Sequence, residues 1–174
     1  MRVGVRLVWR PDDIGGWLAD GAAFDAAGAD ALWIDVADQP DLDPLALAAA
    51  LAAVTFRGLL VAPAIAAADT GRLRERERAV ETVTQLSRGR LRVIGDGERE
   101  FHQIAGYPRT FEDMTRRWAD APLPDSRTAW REMLDEAAAA GLYGLVVPAD
   151  ARLLDLLRNP GDPGQRRDLE LSVG

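Results

Sequence analysis

The chain has no cysteine, no lysine and a single histidine, His102. Without cysteine there is no disulfide framework, no thiolate nucleophile and no finger-type zinc site. Without lysine, Schiff-base chemistry is closed, and all 21 strongly basic residues are arginine. Apolar runs are short as well: none reaches the roughly 18 residues needed to span a bilayer. Positive charge is in deficit, with a formal net charge of -7, so backbone phosphates would meet a surface of their own sign. These absences predict no nucleic-acid partner, no membrane partner and a cytoplasmic location. What is present is a globular balance of 48% hydrophobic and 28% charged residues over 174 positions, which suits one domain, 1–174, with a real core.

Along the chain, Val3, Val5, Leu7 and Trp9 form an alternating β pattern that stops at Pro11. Asp12 or Asp13 caps a helix on which Ile14, Trp17, Leu18 and Gly21 share a face, and Gly28 stops it. ALWIDV is the second strand. Leu45, Leu47, Leu51 and Val54 give the next helix its apolar side, and GLLVAPA is the third strand. Leu73, Val80, Val83 and Leu86 recur at helical spacing until Gly89, after which RLRVIGDGE supplies a fourth strand and its outgoing loop. The charge run Arg72 to Arg78 reads as the solvated face of that helix. Phe111 to Trp118 reads as one short helix and WADAPLPD as a proline-broken connection. Asp125 caps a helix with Trp130, Met133, Leu134 and Ala137 on one side, ended by Gly141. LYGLVVP has the apolar continuity of a strand buried on both faces, Asp150 caps ARLLDLLRNP, and LELSVG is a sixth strand.

Strands that alternate with helices, without hairpin signals, imply parallel pairing. A dinucleotide-binding sheet would show G-x-G-x-x-G after its first strand, and this one runs into WRPDDIGG. The remaining expectation is a reduced (β/α) barrel of about six parallel strands, with strands one to four adjacent in sequence order. An order of 3-2-1-4 would mark the doubly wound alternative.

DALWIDVAD, DPLALAAALAAVT, VAPA and TQLSRGRLRVIGDGE follow one another in an order and spacing that resembles the luciferase-like monooxygenases. The residues that carry the likeness are Leu32-Trp33-Ile34, Asp43-Pro44 and Ser87-Arg88-Gly89-Arg90. AAAAGLYGLVVPADARLLDLLRNP resembles the late strand and helix of short members, and the likeness is weakest from Phe101 to Asp125. The resemblance implies a TIM-like barrel oxidoreductase or monooxygenase that uses a flavin such as FMN or the deazaflavin F420, held at the C-terminal rim of the strands. It implies pairing of copies through the helices after the second and third strands, hence a homodimer or heteromer. A full barrel of this kind has eight strands over about 250 residues. The shortfall falls between strand four and LYGLVVP, and the histidine expected after the second strand is missing. An alternative of another class therefore stands beside the enzyme: a non-catalytic descendant that acts as a binding or assembly partner.

The rim candidates follow from the strand ends. Asp35 and Asp38 offer a carboxylate pair for acid-base work, or plain turn residues. His102 is the one side chain with an unperturbed titration near neutrality, or a packing residue. For the cofactor the candidates are Trp9, Ala62 and Pro63 at the third strand's end, Gly95, Asp96 and Gly97 for close backbone approach, and Arg166 and Arg167 for a phosphate. The GDG run also suits an ordinary turn, and the two arginines a solvated loop.

Overall fold

A computed structural model of the protein describes residues 1–36, 42–64, 73–94, 109–113 and 116–160. Among the described residues there are seven strands: β1 (Arg2–Val8), β2 (Ala31–Asp35), β3 (Leu59–Pro63), β4 (Leu91–Ile94), β5 (Arg109–Asp113), β6 (Arg116–Asp120) and β7 (Gly144–Pro148). Between them run α1 (Ile14–Ala26), α2 (Pro44–Val54), α3 (Leu73–Leu86) and α4 (Arg127–Ala139), and α5 (Ala151–Arg158) follows β7.

The strands form one sheet in the order β4-β3-β2-β1-β7-β6-β5. Strands one to four lie side by side in sequence order, all parallel, as expected. On the other side β1 pairs parallel with β7, in register from Arg2 with Gly144 to Arg6 with Pro148, and β7 pairs parallel with β6. Only β5 runs antiparallel. The six parallel strands curl into a half-barrel.

Which face each side chain takes decides barrel against doubly wound sheet. Val3, Val5 and Leu7 of β1, Leu32 and Ile34 of β2, Leu60 of β3 and Leu145 and Val147 of β7 share one core with Trp17 and Phe24 of α1, Leu51 of α2, Val83 of α3, Trp130 of α4 and Leu153 of α5. All five helices thus cover the same face, whereas a doubly wound sheet carries helices on both. The opposite face, which is the concave one, holds a second cluster of Ala31, Trp33, Val61, Ile94, Trp118 and Val146 with no helical member. The strands alternate between the two sets with period two.

Local chemistry sets the element ends. Asp13, Asp43 and Asp150 accept the amides of Gly16, Leu45 and Arg152, satisfying donors that a first helical turn leaves open. Gly28, Gly89 and Gly141, all at positive φ, end helices where the sequence placed them. The cap of α4 is Ser126, which accepts from Ala129 N–H, and not Asp125. Arg74, Glu75, Glu77 and Arg78 of α3 are exposed, so the charge run is the solvated face that the sequence suggested, although Leu86 also points outward.

Two expectations fail between Phe111 and Trp118. That segment is not a helix but an antiparallel hairpin, with Arg109 opposite Asp120 and Asp113 opposite Arg116. WADAPLPD is likewise not wholly a connection, because Trp118, Ala119 and Asp120 continue β6 against Gly144, Leu145 and Val146. The reason is tertiary: Trp118 packs on the concave face and Ala119 on the helix face, a period-two pattern that only a neighbouring strand reveals. β6 thereby supplies the sixth parallel strand. LELSVG, which was expected to do so, lies outside the described residues.

A buried clamp fixes the N-terminal side of the half-barrel. Asp25, only 3% exposed, accepts the amides of Phe56 at 2.7 Å, Arg57 at 3.1 Å and Gly58 at 2.7 Å. From the other direction Arg90 donates to the carbonyls of Thr55, Gly58 and Ser87. Burial lowers the pKa of this guanidinium while the Asp25 charge raises it, yet arginine stays protonated across ordinary pH. Ser87 adds a bond from Leu91 N–H, so Ser87 and Arg90 of the SRGR run tie the turn before β3 to the start of β4.

Candidate functional site

Parallel strands put their C-terminal ends on one rim, where barrel proteins build sites. On the concave face the residues rise in layers. Near the middle of the sheet Trp33 and Trp118 meet edge to face with ring centroids 5.7 Å apart, and Trp118 meets Tyr143 at 5.4 Å. Two glycines make room for these indoles. A Cβ on Gly4 would stand 2.6 Å from Trp33 Nε1, and one on Gly144 would stand 2.4 Å from Trp118 Cζ3. Below, the Tyr143 ring carries the Arg116 guanidinium 4.6 Å from its centroid and Arg2 at 5.9 Å. Arg2 also bonds Asp30, a hydrogen bond that raises its pKa. The N-terminal part of the concave face is therefore closed by aromatic rings and guanidinium groups.

Nearer the rim the character changes. Arg6, on the same face of β1 as Gly4, forms an ion pair with Asp120 of β6. β7 lies between those two strands, so the Arg6 side chain reaches across it along the sheet. The Asp120 side chain is 7% exposed and that of Arg6 27%, so the arginine keeps some contact with solvent. Asp35 ends β2 on this face, in register with Val8, and its carbonyl accepts Trp9 N–H at 2.8 Å. Pro63 and Pro148 end β3 and β7 with the same parity as Val61 and Val146.

Of the residues singled out in the sequence, the structure brings Asp35 and Pro63 to the concave rim. Pro63 follows a trans peptide bond and pairs in regular register with Ile94, so β3 carries no bulge there. Trp9 and Ala62 belong to the other face. Trp9 packs edge-on against Trp17 of α1 at 5.2 Å, and Ala62 is fully buried in the core under the helices. Asp38, Gly95, Asp96, Gly97, His102, Arg166 and Arg167 lie outside the described residues. Sequence reasoning missed Arg6 and Asp120. A charge of concave parity in the middle of the first strand was the available signal for Arg6. Asp120 had none, because its segment read as a loop.

A second recess, about 450 Å³, opens on the opposite side of the molecule between the C-terminal ends of α1 and α2, lined by Ala22, Asp25, Ala26, Val54, Phe56 and Arg57. Its one carboxylate is already spent on three backbone amides, so it offers apolar surface rather than chemistry. No helix among the described residues is long and apolar enough to cross a membrane. No protein-family model matches the chain, and no curated protein sequence matches it.

Proposed function

We propose that this protein is a reduced luciferase-like barrel that binds a flavin or deazaflavin ring at the C-terminal rim of its parallel strands. The observation that carries the reading is the half-barrel itself: six parallel strands, helices on one face only among the described residues, and a partly exposed arginine on the concave face near the rim. A planar ring with an oxygen-bearing edge at the rim would present that edge to the partly exposed Arg6. Pro63 and Pro148 would border it, and Asp35 stands where a proton could be taken or given. The ring supplies two-electron redox chemistry when bound. The experiment is absorbance of the purified protein between the near ultraviolet and the blue: a flavin or deazaflavin band that survives gel filtration is expected, and a colourless protein that takes up neither on addition overturns the reading. If Asp35 acts on a substrate, Asp35→Asn removes turnover in a variant that circular dichroism shows to be folded.

The second reading is a non-catalytic descendant that has kept the scaffold and serves as a binding or assembly partner. One observation favours it: Arg6 and Asp120 form a largely buried ion pair across β7, as a structural pair would. In either reading we propose a homodimer or heteromer formed through the helices after the second and third strands. Exposed Ala46 and Ala53 give α2 a surface that another helix can approach closely. Light scattering after size exclusion at low micromolar concentration should give more than 18.9 kDa, and a well-dispersed species of that mass would end the pairing argument.

A further inference from the structure

We infer that Arg92 and Ser87 hold the β4 edge of the half-barrel closed to strand addition by a second copy of this chain. Among the described residues no strand lies beyond β4, so its outer side is where backbone groups could template a neighbour. Which groups face outward follows from the ladder. Leu60 N–H donates to Arg90 C=O and Ala64 N–H to Ile94 C=O, so residues 90, 92 and 94 turn their backbone groups toward β3. Backbone direction alternates along a strand, and Leu91 and Val93 therefore turn theirs away. Side chains of this chain occupy both outward groups of Leu91. Its N–H donates to Ser87 Oγ at 3.1 Å, and its carbonyl accepts from Arg92 Nη1 at 2.7 Å. The same nitrogen reaches Gly89 C=O at 3.0 Å, so the guanidinium is folded back along the strand. An incoming strand has to displace it or make do with the outward pair of Val93 alone. In a strand of four residues that is too short a ladder to hold a neighbour. For stability the two arginine bonds matter little, because water serves an exposed carbonyl nearly as well. What they change is access. The inference needs no ligand at the rim, and it directs the pairing of copies away from the sheet edge.

The test compares Arg92→Ala with Arg74→Ala, which removes an exposed arginine of α3 and so controls for the lost charge. Both variants make a chain of net charge -7 more negative, which by itself opposes the association of copies. Light scattering after size exclusion, from low micromolar concentration upward, is read together with amide exchange at Val93, and circular dichroism confirms folding. Arg92→Ala should at least double in mass over the wild type, and Arg74→Ala should not. In the heavier species the Val93 amide should exchange at least about tenfold more slowly, because a neighbouring strand has taken it. Arg92→Gln, shorter and uncharged, opens the same edge and takes the place of Arg92→Ala should that variant fail to fold. A wild-type mass at every concentration would show that the edge needs no guard, and the inference fails. It fails equally if mass rises while Val93 exchanges as before, since the copies then meet elsewhere. Slow exchange of Val93 already in the wild type overturns it too, because something other than Arg92 then covers the edge.

Discussion

Asp25 illustrates how a single side chain can organise a turn that carries no turn motif of its own. Three amides converge on its carboxylate, and hydrogen bonds to a charged acceptor are the stronger kind. Asp25→Ala removes the charged acceptor of all three amides, the buried Gly58 N–H among them, and should cost about 2–4 kcal/mol, read from the urea midpoint at unchanged m-value. Gly144 shows the opposite logic, where what matters is the absence of atoms. A methyl group there overlaps the Trp118 ring, so Gly144→Ala should destabilise by about 1–3 kcal/mol and alter the near-ultraviolet circular dichroism of the indole cluster. Neither role was legible in the sequence: Asp25 sits in the last turn of α1, where an acidic residue has no favourable local role, and Gly144 within an apolar run. Asp35 was legible because a strand pattern ended at it. Arg6 and Asp120 became a pair only when strands far apart in sequence were seen two places apart in the sheet.

Among the elements, those with their own punctuation were readable. Asp-Pro before α2 and glycines after α1, α3 and α4 are local signals with local causes, and the structure keeps them. The β5–β6 hairpin has no such signal. Its residues hold a strand because β7 offers a parallel edge, and that edge is contributed by residues 144–148. The start of α4 shows how finely caps discriminate between neighbours. Ser126 accepts from Ala129 N–H at 3.1 Å, while Asp125 reaches only Arg152 at the surface. Ser126→Ala should therefore cost about 1 kcal/mol of stability, whereas Asp125→Ala should change the thermal midpoint little. Equal losses from the two would show that the helix starts one residue earlier.

For the whole molecule, parallel pairing was implied by the strand-helix rhythm, and the sequence order of strands one to four by the right-handed crossover rule. The placement of β7 beside β1 could not be read from local pattern, since nothing in LYGLVVP names its neighbour. That placement makes β1 the junction of the sheet: Gly4 pairs with Ala31 on one side and with Val146 on the other. The first contact is local and the second joins the two ends of the described chain. Loop-closure entropy favours forming the first before the second. Leu32→Ala in β2 should accordingly slow refolding, while Val147→Ala in β7 should mainly speed unfolding, and chevron plots in urea distinguish the two. During synthesis the order becomes a hazard. The strand made first is completed last, and until β7 leaves the ribosome β1 offers a bare backbone edge on which a neighbouring nascent chain can dock.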